Sequence, residues 1–257
     1  MEPTDDLEHP LEHPRRRHIY LLPNLLTTCG LFSGFYAILA AASGHFEHAC
    51  VAVFVAALFD GLDGRVARLT GTTSEFGVQY DSLADLVSFG MAPALVMYHW
   101  ALVSMKADGP LVGKIGWAAA FLYVACAALR LARFNAQVAV VDKRWFIGLN
   151  SPSSAAVMMS FVWSMNAFGY GGDQLRFVAT ALTVCCGLLM VSRIRYTSFK
   201  GDRKSQHVPF WMLLLLVGFL GALLVDPPRV LLTVAGLYAL SGPVAWLWNK
   251  SRRKPVA

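Results

Sequence analysis

Eight stretches of this chain, at residues 20–43, 46–69, 76–103, 111–134, 152–170, 175–194, 207–225 and 229–248, are apolar over nearly their whole length. Each approaches or exceeds the roughly 20 residues an α-helix needs to cross hydrocarbon. No water satisfies the backbone inside a bilayer, so a spanning segment must hydrogen-bond within itself. The expectation is an all-α, polytopic transmembrane helical bundle of about eight spans. The fifth run is the weakest, because Ser153, Ser154, Ser160, Ser164 and Asn166 dilute it. Gly109-Pro110, Ser151-Pro152 and Asp226-Pro227-Pro228 punctuate the joins. At 56% hydrophobic and 15% charged residues, the composition excludes an ordinary soluble domain.

Charge placement sets an orientation. With the amino terminus inside and eight spans, 18 of the 22 Lys and Arg residues fall in cytoplasmic segments, among them Arg15, Arg16, Arg17, Arg65, Arg68, Arg130, Arg133, Lys143, Arg144, Arg193, Arg195, Lys200, Arg203 and Lys204. Only Lys106, Lys114, Arg176 and Arg229 remain outside. The positive-inside rule then puts both termini in the cytoplasm of a cell (inner) membrane protein, and the net charge of +6 calls for no nucleic acid. Residues 1–18 form a flexible polar tail, 19–248 the membrane domain and 249–257 a basic tail. His9 and His13 in the first tail read as solvated residues and not as a metal site. The first apolar run is longer than the 7 to 15 residues of a signal peptide and reads as a retained helix. Trp100, Trp117, Trp211, Trp246 and Trp248 lie near span ends, where indoles favour the interface, and Trp163 does not. The five cysteines have no ligand spacing and read as packing residues.

Chemistry concentrates between residues 60 and 85. Asp60, Asp63, Gly64, Ala67 and Arg68 recur at helical spacing and share one face, as do Gly77, Asp81 and Asp85. Residues 69–76 join the two faces, so antiparallel helices would bring the four acids together. A carboxylate in hydrocarbon costs roughly 2.5–3.5 kcal/mol on insertion scales, so four persist only with something cationic among them. Arg68 can neutralise one. An all-oxygen set without Cys or His suits magnesium or manganese. Asp60, eight residues before Arg68, lies about 12 Å inside the cytoplasmic end of its helix.

The pattern Asp-x2-Asp-Gly-x2-Ala-Arg-x8-Gly-x3-Asp-x3-Asp resembles the signature of the CDP-alcohol phosphotransferase family, with every fixed position filled. The resemblance implies two ions, Mg2+ or Mn2+, held by Asp60, Asp63, Asp81 and Asp85, with Asp60 and Asp81 bridging. It also implies a CDP-linked donor and Asp85 as general base. Asn24, Thr27, Asp60, Gly64, Ala67, Arg68, Ser74 and Gly77 become the donor-binding candidates. Gly64 and Ala67 are equally explained by close helix packing. A homodimer is expected from the family and from Gly30 and Gly34, whose spacing also serves packing within one subunit.

Arg130-x2-Arg133-Phe134-Asn135, Phe146-x-Gly148-Leu149-x-Ser151-Pro152 and Pro23-Asn24-x2-Thr27 resemble segments of bacterial and archaeal phosphatidylserine synthases. Gly30 and Asn150 depart from that pattern, standing where asparagine is frequent and proline is usual. The resemblance implies CDP-diacylglycerol and L-serine as substrates, with Arg130 or Arg133, and Asn135, at the acceptor. Glycerol phosphate, inositol phosphate or choline are alternative acceptors. A divalent-cation transporter is the alternative of another class, since it too would carry buried acids.

Overall fold

The computed structural model describes residues 15–137, 145–197 and 210–252. His9, His13, Lys143, Arg144, Lys200, Arg203 and Lys204 lie outside them. Helix α1 (Arg15–Ala42) and helix α2 (Phe46–Thr70) form a hairpin whose turn passes through Gly44 at φ +79°. Glycine takes this left-handed conformation without steric penalty. Gly71, at φ +64°, stops α2 in the same way, its N–H bonding back to the carbonyl of Ala67. Ser74 then caps α3 (Glu75–Asp85) by accepting from the Gly77 amide at 3.0 Å. The connection between the two acid-bearing helices is therefore residues 71–74, half the length expected, because both helices extend toward each other up to their caps.

The third apolar run is not one regular helix. Directly after Asp85 the chain makes a π-helical turn, Leu86–Met91, before α4 (Ala92–Trp100) and a 3-10 turn, Leu102–Asp108. Next come α5 (Pro110–Gln137), strand β1 (Trp145–Ile147), α6 (Ser151–Ala167), α7 (Arg176–Val191), strand β2 (Arg195–Thr197), α8 (Phe210–Val225) and α9 (Pro227–Arg252). β1 and β2 pair antiparallel, with Phe146 opposite Tyr196. This short ribbon is the one departure from the all-helical expectation among the described residues. It links the segment after α5 to the segment after α7.

Helix α6 is the hub of the bundle, packing against α2, α4, α7 and α9. Its serines made it the weakest apolar run, and they are also why it is central. Ser154, Ser160 and Ser164 are wholly buried, and small side chains let helix backbones approach closely. Ser160 satisfies its own hydroxyl by donating to the carbonyl of Ala156 at 2.6 Å. By contrast, no residue of α8 is buried. Trp100, expected at an interface, is 5% exposed and packs edge-on against Phe161 in the core. Trp163 donates to Glu47 at 3.3 Å, a partner that accounts for its place away from the belt. The five cysteines are free.

Helices α1, α5 and α9 are long and apolar enough to cross a membrane, and the bent pair from Glu75 to Asp108 makes a fourth if it is one span. Helix α2 has the length but carries Glu47, Asp60, Asp63, Arg65 and Arg68. Helices α6, α7 and α8 have 17, 16 and 16 residues.

Candidate functional site

The α2–α3 hairpin brings the acids together. Asp60, Asp63 and Asp81 each offer a carboxylate oxygen, and these oxygens lie within 4.8 Å of one another. Asp85 lines the same cleft as these three but is not among the oxygens that meet this closely. The four surround a narrow cleft whose other walls are Thr27 and Gly30 of α1, Ala56 of α2, Ala84 of α3, and Ser88 and Phe89 of the π turn. Among the described residues none of the four forms a salt bridge; the ion pairs there are Asp108–Arg176 and Asp226–Arg229. A hard divalent cation fits this donor set: several oxygens converge and, among the described residues, none of them is salt-bridged to a protein cation. Zinc's preferred Cys and His ligands are absent from the cleft.

Helix α1 supplies the outer layer. Thr27 is 6% exposed and donates to Oδ2 of Asp63 at 2.6 Å and to the carbonyl of Pro23 at 3.1 Å. A residue expected to touch the donor lipid is thus placed on a candidate ligand, fixing its orientation. Asn24 lies beside Gly77, where a Cβ would come 3.6 Å from its Oδ1. Thr28 and Tyr80 share a 2.9 Å hydrogen bond that adds a second tie between α1 and α3.

Arg68 departs from its expected role as counter-ion. It is exposed, and its guanidinium extends over Gly64, 3.9 Å from where a Cβ would stand. Half-buried Gly64 and Ala67 and exposed Arg68 share one face of α2 beside the acids. Ser74 has its hydroxyl oxygen committed to the α3 cap.

Of the candidates on α5, the structure separates three fates. Arg130 is partly buried, within Coulombic range of Asp85, and donates from Nη1 to Ser151 Oγ at 3.2 Å. Its buried Nε has no hydrogen-bond partner. Arg133 is half-buried and shares no such bond among the described residues. Asn135 pairs reciprocally with Ser82 of α3, donating at 3.0 Å and accepting at 3.4 Å. Asn150 stands where the resembled segment has proline, and its Oδ1 accepts from the Ser153 amide at 2.8 Å. It caps α6 and so presents Ser151 to Arg130. Gly148, at φ +82°, admits this course, since a Cβ there would meet the carbonyl of Met190. Ser82, Ser88, Tyr123 and Ser151 were not singled out from the sequence. Only Ser82 and Ser151 carried a signal, one adjacent to Asp81 and the other in a quoted segment.

A family model described as CDP-alcohol phosphatidyltransferase matches residues 20–191. A CDP-diacylglycerol–serine O-phosphatidyltransferase of Helicobacter pylori (strain ATCC 700392 / 26695) is 38% identical over 230 residues, covering 90% of this chain and 92% of its own length. A protein of the same name from Methanocaldococcus jannaschii is 29% identical over 231 residues, 90% of this chain and 96% of its own. An archaetidylserine synthase of Methanothermobacter thermautotrophicus is 36% identical over 182 residues, 70% of this chain and 71% of its own.

Proposed function

This chain belongs to the CDP-alcohol phosphatidyltransferase family, and on that premise we propose that it transfers the phosphatidyl group of CDP-diacylglycerol to L-serine, releasing CMP. It is a transferase, which sets aside cation transport. The observation that carries the serine reading is the pairing of an acid cluster with Arg130. A guanidinium held by Ser151 beside Asp85 suits a carboxylate-bearing acceptor.

Asp60, Asp63, Asp81 and Asp85 would hold two divalent ions, magnesium or manganese, whose charge offsets that of the pyrophosphate and of the departing CMP. The chain's own groups account for the rest. The small residues Gly64 and Ala67 leave room for the nucleotide, and exposed Arg68 is offered to a phosphate. Arg130 holds the serine carboxylate. Asp85 accepts the proton of the serine hydroxyl as its oxygen bonds to the phosphatidyl phosphorus and the bond to the bridging oxygen of CMP breaks. Thr27 keeps Asp63 turned inward, and Asn135 ties α5 to the Asp81 helix through Ser82. Asn135 is thus read as bracing the acceptor site.

The reading includes an integral protein of the cell (inner) membrane with about eight helical spans, both termini and the acid cluster toward the cytoplasm, working as a homodimer. Basic residues near the cluster support that orientation. Gly30 and Gly34 are not part of the case for a dimer. Gly30 faces Ala56 and Phe59, and Gly34 faces Ser88, all within one chain.

The test is CMP release from CDP-diacylglycerol by purified protein with magnesium, adding serine, glycerol phosphate, inositol phosphate or choline singly. Release with serine alone is the expected result. Release with glycerol phosphate and not serine would overturn the acceptor.

A further inference from the structure

Tyr123 of α5 has no exposed surface, and nothing in the transfer reaction uses its hydroxyl. That hydroxyl donates to the backbone carbonyl of Phe89 at 3.1 Å. Phe89 lies in the π turn that follows Asp85 directly. The carbonyl is left available by Pro93, four residues on. Proline has no amide hydrogen, so the α-helical bond from residue 93 back to Phe89 cannot form. The turn is wide instead, with the Ala92 amide reaching back five residues to Val87. Such turns are rare and occur mostly as single-turn bulges within α-helices, often at functional sites, and an uncommon backbone conformation persists where its surroundings fix it.

Two contacts do so here. Ser88 donates to the carbonyl of Gly30 on α1 at 3.2 Å, and Tyr123 holds Phe89 from α5. A π turn adds one residue to the helical circuit, so collapse to α geometry would rotate α3 about 100° relative to α4. Helix α4 cannot take up that rotation, because Ala92, Val96 and Met97 are fully buried. Asp85, the last residue of α3, would turn away from Asp60.

We propose that Tyr123 is a positioning residue for the transfer reaction: by holding the Phe89 carbonyl it fixes the π turn, and through it the direction in which Asp85 faces. This deepens the reading of Asp85 as base and metal ligand and rests on it.

The experiment compares wild type, Tyr123→Phe and the double variant Tyr123→Phe/Pro93→Ala as full-length protein in detergent. It reads serine-dependent CMP release, Mn2+ binding by electron paramagnetic resonance without substrate, and Tm. Tyr123→Phe is expected to lower kcat about 10- to 100-fold, to leave KM for CDP-diacylglycerol within about twofold, and to weaken Mn2+ binding. The double variant restores an amide to the Phe89 carbonyl, so its Tm should recover while kcat does not. Unchanged kcat in Tyr123→Phe overturns the proposal, and so does kcat recovering with Tm in the double variant, the signature of a merely structural hydroxyl. If Tyr123→Phe does not purify folded, the double variant decides by the same criterion. Wild type lacking serine-dependent release would instead defeat the functional reading, and the Mn2+ measurement would still judge Tyr123.

Discussion

Thr27 donates its hydroxyl to a carboxylate oxygen and to a carbonyl at once, and the contact with Asp63 is the shorter, at 2.6 Å against 3.1 Å. Hydrogen bonds to ionised oxygens are about twice as strong as neutral ones. Thr27→Val keeps the shape and removes the donor, so Asp63 loses the group that orients it. Outer-shell losses of this kind cost about 10- to 100-fold in metal affinity. A magnesium titration of CMP release should show the requirement rising by that factor, with most of the rate recovered at saturating metal. An unchanged requirement would remove Thr27 from the ligand shell. At this scale the sequence was informative where spacing alone carries the information. Four acids at helical intervals on two joined segments could meet in few ways; three converge and Asp85 lines the same cleft. Thr27 stood out as a candidate, but its partner is 36 residues away, and no local pattern encodes that distance.

Among elements, the approach of α1 to the π turn is the tightest point near the site. A Cβ on Gly34 would stand 2.6 Å from Ser88 Oγ and 2.8 Å from its Cα, whereas one on Gly30 would find nothing nearer than 3.6 Å. The first is a clash with backbone and the second an ordinary contact. Gly34→Ala should therefore destabilise by about 1–3 kcal/mol, as overpacking does, and depress activity by displacing the turn after Asp85. Gly30→Ala, one turn away, should lower Tm little. Thermal denaturation of both variants in one detergent checks this, and equal Tm values would contradict the geometry. The helices were legible as apolar runs, since each expected segment overlaps a helix among the described residues. The break after Asp85 was not, because its cause is split between Pro93 and Tyr123, on different helices. Asn150 looked like a departure from a resembled pattern, and only the Ser153 amide shows it as a helix cap.

On the scale of the whole molecule, the family match ends at residue 191, yet β2 and α9 beyond it are built into the bundle. Tyr196 is 1% exposed and donates to the carbonyl of Ala239 on α9 at 3.2 Å. Gly242 leaves room for its ring, which a Cβ there would overlap. Helix α9 in turn packs on α6. Helix α8 is exposed at every residue but Leu223, with Leu213, Leu214, Leu215 and Leu216 each more than half accessible. A surface so apolar must face lipid or another copy. We expect mass measurement in native lipid to give twice the chain mass, and reporters at both termini to be protected from the outside in intact cells. A strict monomer would end the dimer, and a terminus reached from outside would end the orientation.

The order of parts along the chain has a consequence for biogenesis. Every group assigned to the ions and the donor lies between Asn24 and Asp85, and the acceptor groups Arg130 and Ser151 come later. Synthesis proceeds from the amino terminus, and segments with nearby partners assemble soonest. The acid-bearing hairpin can thus close before Arg130 and Ser151 have left the ribosome. An ion held as proposed by these acids would thus have its ligands in place before the later helices are made.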